Sequence, residues 1–267
     1  MALGIRVRAE ERTIRTGMKA SGAQQTAIQL QRAYYAQTAN RYDEMHLHED
    51  DEHSFALRYM LSILSSWGIR SILDIGSGTG RGLLETIKEQ PEVFVIGVEP
   101  SAELRAIGHS KGLSKTQLID GDAQMLAFKD RSFDLVCEFG ALHHIPDPHR
   151  AVAEMLRVAR KAIFISDSNN FGQGSKLSRT LKQVINAAGL WPFVNTIRTK
   201  GKGYFLSEED GVGYSYSVFN NYRQIRDACE SVHMLNTASG GPNLYRTAAH
   251  VALLGRKRED VEPPVKQ

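Results

Sequence analysis

The chain has 267 residues, of which 42% are hydrophobic and 24% charged, as in an ordinary folded globular protein. Its 33 basic and 30 acidic side chains give a net charge of +3, too even a balance to indicate nucleic acid or a membrane surface as a partner. Two cysteines, Cys137 and Cys229, argue against a disulfide framework, and no apolar run approaches the ~20 residues of a membrane helix, so we expect a cytoplasmic protein.

The two ends of the chain differ in composition from the middle. Residues 1–25 are rich in arginine and are predicted to form a flexible extension, and residues 257–267 are charged, contain proline and are predicted to be a disordered tail. A single domain is expected over residues 26–256.

Strand and helix patterns alternate through this domain. A helical segment, AIQLQRAYYAQTANRYDEM, breaks near Asn40 and is followed by a second helix, DDEHSFALRYMLSILSSWG. Five short apolar runs then alternate with helices, and we predict that they are strands: RSILDIG, VFVIGVEP, TQLIDGD, SFDLVCEFG and KAIFISDS. This alternation is typical of an α/β fold whose parallel sheet is covered on both faces.

Residues 169–226 interrupt the alternation. They are rich in Asn, Gly, Ser, Lys and Tyr, and SKLSRTLKQVINAAGLW is their one helical stretch. A helix, QIRDACESV, and two closing strands, VHMLNTA and TAAHVALLGRK, are predicted next. An insertion late in a regular scaffold is where substrate contacts and lids usually lie, so we expect residues 169–226 to contact the substrate.

A glycine loop follows the first strand. Asp74 ends that strand, and Gly76, Gly78 and Gly80 lead into a helix, so a ligand can approach the backbone closely. The dinucleotide pattern G-x-G-x-x-G is absent, and Gly80 is followed by Arg81 where a phosphate-binding P-loop has lysine. The loop therefore favours a ligand other than a pyrophosphate or a triphosphate.

The next two strand ends indicate what that ligand is. Glu99 lies about twenty residues after the glycines, where a carboxylate can accept both hydroxyls of a ribose. Asp122 follows the third strand and could accept from an exocyclic amine, while Ala123 offers a backbone N–H to a ring nitrogen. Three neighbouring strand ends thus suit an amino-acid group, a ribose and an adenine.

Four segments in this order, ILDIGSGTG, VIGVEPS, IDGDAQMLAF and SFDLVCEFGALHHIPDP, resemble class I S-adenosylmethionine-dependent methyltransferases, in the group of the ubiquinone and menaquinone biosynthesis enzymes. The resemblance implies a Rossmann-like, doubly wound sheet of seven strands in the order 3-2-1-4-5-7-6, preceded by N-terminal helices. Strand 7, HVALLGRK, would be antiparallel. The expected cofactor is S-adenosylmethionine, which leaves as S-adenosylhomocysteine.

The resemblance also implies a set of site residues. Asp74, Gly76 and Gly78 would hold the methionine end of the cofactor, and a tyrosine-bearing N-terminal helix would close over it. The fourth strand would offer a backbone carbonyl to the cofactor ammonium at Glu138 or Phe139. The full predicted cofactor set is Tyr34, Tyr42, Asp74, Gly76, Ser77, Gly78, Glu99, Pro100, Asp122, Ala123, Glu138 and Phe139. One departure is Ala159-Arg160-Lys161-Ala162, where relatives usually have Lys-Pro-Gly-Gly.

Histidines supply the candidate catalytic groups. His143 and His144 follow the fourth strand, where either could take a proton from the methyl acceptor or could only shape the loop. The run from His46 to His53 matches no firm metal-ligand spacing and is better explained as a charged helix start, so no metal site is predicted.

The acceptor itself is less well defined. We expect a small molecule, with a sugar or natural-product hydroxyl favoured because of the aromatic and amide groups in the insertion, namely Tyr204, Tyr214, Tyr216, Phe219, Tyr222, Asn220 and Asn221. Some of those rings could instead pack the insertion onto the sheet. Two alternatives stay open: a nucleic-acid or protein methyltransferase, and a cofactor-binding protein without transfer activity. The atom methylated and the oligomeric state are left open.

Overall fold

A computed structural model describes residues 22–46, 51–208, 210–238 and 241–258. Seven strands form one sheet in the order β3-β2-β1-β4-β5-β9-β8, with β1 to β5 parallel and β9 antiparallel to both of its neighbours. These strands are β1 Ser71–Ile75, β2 Phe94–Val98, β3 Leu118–Ile119, β4 Phe133–Phe139, β5 Ala159–Ser168, β8 Cys229–Asn236 and β9 His250–Lys257. A separate hairpin joins β6, Tyr204–Ser207, to β7, Gly211–Tyr214. Without that hairpin, the observed order is the predicted 3-2-1-4-5-7-6, which confirms the fold class.

Nine α-helices are present in the described residues: α1 Gly22–Thr38, α2 Tyr42–His46, α3 Glu52–Ile63, α4 Arg81–Glu89, α5 Ala102–Ser110, α6 Pro148–Val158, α7 Lys176–Ala187, α8 Trp191–Arg198 and α9 Tyr222–Ala228. Four of them begin at a side-chain cap, because Asp51, Ser101, Asp147 and Ser175 each accept a hydrogen bond from the amide three residues later. The break expected near Asn40 is the 3-10 turn Ala39–Arg41. No described helix has the length and apolar character needed to cross a bilayer.

The sheet is buried on both faces. Leu73, Val136 and Ile163 belong to the apolar cluster on one side, and Leu135 and Phe164 belong to the cluster on the other. Successive residues of a strand point to opposite faces, so these continuous apolar runs fill two layers. Cys137 and Cys229 are both buried and unpaired. The cytoplasmic location stays a prediction.

Three element predictions were wrong in detail. The helix expected over QIRDACESV ends at Ala228, and Cys229 already pairs with Lys257 of β9, because the exposed edge of the sheet supplies backbone partners there. The single helical stretch in the insertion is two helices, since Gly189 adopts a φ of +71° between α7 and α8. The third strand is only Leu118–Ile119.

The segment Ala159-Arg160-Lys161-Ala162, which stands where relatives have a Lys-Pro-Gly-Gly turn, forms no turn. Val158 is the last residue of α6 and Ala159 is the first of β5. The ammonium of Lys257 donates to the carbonyls of Leu156 and Ala159 at 2.7 and 2.8 Å, which satisfies acceptors that a helix end leaves free.

The predicted extension and tail fall mostly outside the described residues. Helix α1 begins at Gly22, within the range 1–25, and β9 runs to Lys257, the first residue of the range 257–267. Residues 1–21 and 259–267 are outside the described part of the chain.

Candidate active site

One cavity of about 970 Å³ opens at the carboxyl edge of the parallel strands. Its walls come from the segments after β1, β2, β3 and β4, from α1 and α2, and from the β6–β7 hairpin. Cavities that hold small molecules have roughly 300 to 1,000 Å³ of space, so a nucleoside-sized ligand and a second small molecule can share it.

The glycine loop forms the floor at one end. Gly76 and Gly78 have φ angles of +69° and +55°, which favour glycine, and any side chain at Gly76 would overlap the Cβ of Ala141. The Ser77 hydroxyl donates to the carbonyl of Asp74 at 2.9 Å and closes the turn. Burial raises the pKa of Asp74 to about 7. The loop thus places the buried carboxyl of Asp74 and two glycines with positive φ angles at the cavity wall.

Glu99 connects this loop to the end of β2. One carboxylate oxygen accepts from the amide of Gly78 at 3.0 Å and the other accepts from the amide of Ser101 at 2.8 Å. Burial raises the pKa of Glu99 to about 7, against the opposing effect of these two amides. Each oxygen keeps a second lone pair, so the carboxylate can also accept two hydroxyls from a ligand.

Tyrosines form the roof. Tyr42 lies over Gly78, since a Cβ at Gly78 would be 3.4 Å from the Tyr42 ring, and its ring meets that of Tyr35 edge-on at 5.9 Å. Both line the cavity. Tyr34 is not among the lining residues and packs instead beside Gly211 of the hairpin.

A polar contact fixes α2 on the glycine loop. The Thr79 hydroxyl donates to Asp43 at 2.5 Å and accepts from Lys111 at 2.9 Å, and Lys111 also forms an ion pair with Asp43. The roof helix is therefore held to the same loop that its tyrosines cover.

The other predicted cofactor residues are mostly at the cavity wall. Pro100, Asp122, Ala123 and Phe139 line it, together with Ser77. Glu138 does not, because its buried carboxylate accepts from the amides of Ala141 at 2.8 Å and Ser166 at 3.1 Å. That carboxylate shapes the turn after β4, and the role of the Glu138 carbonyl stays a prediction.

His143 and His144 lie side by side on the acceptor side of the cavity, with ring centroids 4.0 Å apart. His143 is held by two carboxylates: Nδ1 is 2.7 Å from Asp167 and Nε2 is 3.2 Å from Asp210. Burial favours the neutral imidazole, but these two anions outweigh it and hold the pKa of His143 well above its ordinary value. In this arrangement His143 is therefore an imidazolium between two carboxylates.

His144 makes a similar contact with the hairpin. Its Nδ1 is 2.6 Å from the carbonyl of Val212, and its Nε2 is 3.3 Å from the second oxygen of Asp210. Both predicted catalytic histidines thus meet the β6–β7 hairpin at the cavity.

Two further histidines line the same end of the cavity. His53 and His250 meet edge-on at 4.7 Å, and burial lowers the pKa of both, that of His250 to about 3, so both rings are neutral. The Nδ1 atom of His53 is buried and has no hydrogen-bond partner among the described residues. Of the run His46–His53, residues 47–50 lie outside the described residues, and Asp51 caps α3 as a helix start.

Among the residues that the structure describes, two groups of side chains have a spacing that could hold a metal ion. They are Glu52, His53 and His250, and His143, His144 and Asp210. In each group the potential ligand atoms lie within 4.8 Å of one another. The prediction of no metal site is therefore still a prediction.

The aromatic residues of the insertion divide between packing and the cavity. Tyr214 lines the cavity, and its buried hydroxyl has no partner among the described residues. Tyr204 and Tyr216 are buried, and the Tyr216 hydroxyl donates to Asn221 at 3.0 Å. Most of these rings pack the insertion onto the domain.

Sequence reasoning missed Asp167 and Asp210. Asp167 stands near the end of β5, where the argument applied to Glu99 and Asp122 could have found it. Asp210 lies in a hairpin without any motif, 67 residues from His143, so no local signal indicates it.

Known proteins resemble the chain in its central part. The methyltransferase domain family matches residues 73–165. A demethylmenaquinone methyltransferase of Roseiflexus castenholzii is 36% identical over 89 residues, which is 33% of this chain and 37% of that protein. A phosphatidylethanolamine N-methyltransferase of Cereibacter sphaeroides is 34% identical over 107 residues, 38% of this chain and 51% of that protein. The chain thus spans only about a third to a half of these relatives.

A solved structure extends the likeness to most of the fold. The magnesium protoporphyrin IX methyltransferase of Synechocystis PCC 6803, crystallised with S-adenosylhomocysteine, is 16% identical, with a TM-score of 0.54. The match covers 85% of this chain and 97% of that one. At this identity the likeness concerns the fold.

Proposed function

We propose that this protein transfers a methyl group from S-adenosylmethionine to a small-molecule acceptor, because residues 73–165 match the methyltransferase domain family and the strand order is the one that the resemblance to class I S-adenosylmethionine-dependent methyltransferases implies. The observation that carries the proposal is Glu99. Its carboxylate is fixed by the amides of Gly78 and Ser101 and faces a cavity shared with His143.

The residues present fit this donor. Gly76 and Gly78, with positive φ angles beneath Tyr42, would hold the amino-acid end, Glu99 would accept the ribose hydroxyls, and Asp122 with Ala123 would border the adenine. When bound, the cofactor supplies a methyl group on a positively charged sulfonium. The buried carboxyls of Asp74 and Glu99 favour a cation there when they are ionised.

The protein's main task is positioning. An acceptor must be held in line with the methyl group in a site that excludes water, and positioning of this kind can contribute roughly 7 to 11 kcal/mol to lowering a barrier. Tyr35 and Tyr42 close one side of the cavity and the β6–β7 hairpin closes the other.

His143 is the base in this proposal, after one rearrangement. In the described state both of its ring nitrogens contact carboxylates, so the imidazolium has no lone pair for a substrate proton. When an acceptor replaces Asp210, the pKa of His143 falls, the ring loses its second proton, and Nε2 can accept one from the acceptor. Asp167 keeps Nδ1 protonated throughout.

The acceptor is a small molecule with an ionisable hydroxyl or amine. The similarity to a demethylmenaquinone methyltransferase and to a phosphatidylethanolamine N-methyltransferase supports this class. Tyr214, whose buried hydroxyl has no partner among the described residues, and His143 both line the cavity and give its wall hydrogen-bonding groups. A sugar or natural-product hydroxyl is the finer prediction within that class.

Donor binding is measured by titration calorimetry. We expect wild-type protein to bind S-adenosylmethionine and S-adenosylhomocysteine, and Glu99→Ala to weaken both by at least about ten-fold, because a charged hydrogen-bond acceptor is worth ~1.5–3 kcal/mol. Glu92→Ala makes the same change at an exposed position and leaves affinity unchanged. Equal affinity in wild type and Glu99→Ala would overturn the assignment of the donor site.

The acceptor class is tested with methyl-labelled donor and a cell extract separated into low-mass metabolites and lipids, protein and RNA. The proposal expects label in the metabolite and lipid fraction. Label that follows protein or RNA contradicts the small-molecule assignment while leaving the donor site intact.

A further inference from the structure

Helix α7 is attached to the domain by its polar side. The ammonium of Lys182 donates to carbonyls of the preceding loop, at 2.9 Å to that of Gln173. The Gln183 amide donates to the carbonyl of Phe171 at 2.9 Å, and the Asn186 amide donates to a tyrosine hydroxyl at 2.9 Å. These residues lie on one side of the helix, at spacings of one, three and four.

The opposite side of α7 is apolar and faces solvent. Leu177, Leu181 and Val184 are 80%, 58% and 61% exposed, and their spacings of four and three place them in one stripe. No residue of the helix is buried. A surface helix of a globular protein normally turns its apolar stripe inward, so this orientation is reversed.

Helix α8 continues the same surface. Leu190, Phe193 and Ile197 are each more than half exposed, and α8 contacts α7 directly. We call the six side chains the apolar face: Leu177, Leu181, Val184, Leu190, Phe193 and Ile197. Clusters of exposed large apolar side chains mark surfaces that bind a partner or a membrane.

The segment that carries the apolar face has basic charges only. Residues 168–207 contain six basic side chains and no acidic one: Lys176, Arg179, Lys182, Arg198, Lys200 and Lys202. Arg179 and Lys182 bind backbone carbonyls of the loop before α7, whereas the other basic side chains of the segment are exposed. None of the six forms an ion pair with a carboxylate of the described residues. The net charge of the whole chain is close to zero and does not reveal this cluster of basic residues. The expectation of no membrane partner rested on that net charge.

We propose that the apolar face docks on the surface of an anionic lipid bilayer. Leucine, phenylalanine and isoleucine side chains enter the boundary between headgroups and acyl chains, and lysines and arginines beside them attract acidic headgroups. A second copy of the chain fits the surface less well, because a symmetric dimer would place two such basic segments against each other.

The segments on either side of the apolar face contribute to the cavity wall. Gln173, just before α7, lines the cavity, as do Asp210 and Tyr214 of the hairpin that follows α8. A docked bilayer would therefore lie against the segment that forms the acceptor side of the cavity. On the proposed function, this makes an acceptor dissolved in the membrane directly available.

The test is cosedimentation of the full chain with phosphatidylcholine vesicles, with and without roughly one-third phosphatidylglycerol. Binding is expected to the anionic vesicles, and to fall steeply between about 0.1 M and 1 M salt because screening shortens the range of the attraction. Lys200→Gln with Lys202→Gln should weaken binding by about ten-fold. Lys88→Gln with Lys115→Gln, at exposed positions elsewhere, should leave it unchanged.

The apolar contribution is tested by Leu181→Gln with Phe193→Gln, which should weaken vesicle binding by about ten-fold or more, against Phe94→Gln as a control at an exposed aromatic outside the insertion. Calorimetry of S-adenosylmethionine on each variant reports folding and separates this proposal from the proposed function. If wild-type protein does not cosediment with anionic vesicles, the proposal is overturned. The proposal is also overturned if light scattering shows that the wild-type protein is a dimer and that Leu181→Gln with Phe193→Gln makes it monomeric without changing vesicle binding.

Discussion

His143 is the residue whose surroundings decide most about the chemistry. Its two partners differ in character: Asp167 is fully buried on β5, while Asp210 is half-exposed in a hairpin turn. A buried carboxylate on a central strand is fixed, whereas a turn can move. The asymmetry assigns the orienting role to Asp167 and the replaceable role to Asp210.

Asp210→Asn should lower the pKa of His143, because the amide removes one of the two anions that favour the imidazolium. The group loses its charge as pH rises through its pKa, so the basic form that catalysis needs should appear at lower pH. We expect the acidic limb of the kcat/KM profile to move down by about one pH unit, since one unit corresponds to ~1.4 kcal/mol.

Asp227→Asn, at an exposed carboxylate paired with Arg226, is the control for that experiment and should leave the profile in place. Proton NMR of the imidazole gives the same pKa without turnover. An unchanged limb in Asp210→Asn, with normal donor affinity, would show that His143 does not act as the base.

Residues at strand ends were predictable because their surroundings are local. Asp74, Glu99 and Asp122 each follow an apolar run, and parallel strands bring their ends together. Asp210 and His250 reach the site only through tertiary packing, from the hairpin and from the last strand of the sheet. No spacing in the sequence encodes those contacts.

Helix α3 shows how one side chain fixes an element at the site. Asp51 accepts from the amide of Ser54 at 2.5 Å and forms an ion pair with Arg81 at 2.7 Å, both lying at the cavity. The cap therefore ties the start of α3 to the start of α4.

Asp51→Ala should lower the free energy of unfolding by about 1 to 2 kcal/mol, the usual cost of losing a helix cap. Urea denaturation measures it, and Glu44→Ala, an exposed carboxylate in α2, should cost far less. A loss as small as that of the control would mean that the cap contributes nothing to stability.

Helices and parallel strands were easier to predict than the later elements. Strands β1, β2 and β4 are continuous apolar runs next to glycine or turn residues, so their pattern and burial agree. The β6–β7 hairpin and the start of β8 are decided by backbone pairing across the chain, as between Tyr204 and Tyr214. A sequence window of ten residues does not contain that information.

The free energy of unfolding of the whole molecule should depend on pH because of its buried carboxyls. Burial raises the pKa of Glu99 to about 7, above its ordinary value near 4.5, so the folded state binds the proton more tightly than the unfolded state. The stabilisation from the protonated group is complete at low pH and is lost as pH rises toward 7.

Glu99→Gln removes this dependence. The difference in unfolding free energy, wild type minus Glu99→Gln, should fall by roughly 3 kcal/mol between pH 4.5 and 7. Chemical denaturation across that range measures the difference, and Glu92→Gln, at an exposed carboxylate, should give a constant offset. A flat difference for Glu99→Gln would mean that the carboxyl is solvated in the folded protein.

The α/β class of the molecule followed from the alternation of strands and helices, whereas the closure of the molecule over the site did not. The seven-stranded order is implied by five alternating strands and the family resemblance. The position of α1 against the hairpin depends on a glutamine, Gln31, whose type and place are unremarkable in a helical pattern.

The side-chain amide of Gln31 binds the hairpin through both its oxygen and its nitrogen. Its oxygen accepts from the Val212 amide at 2.5 Å and its nitrogen donates to the Asp210 carbonyl at 3.3 Å. The hairpin is thus bound by α1 on one side and by His143 and His144 on the other. A movement of the hairpin that admits an acceptor would therefore also displace α1, so binding of the acceptor and binding of the donor should be coupled.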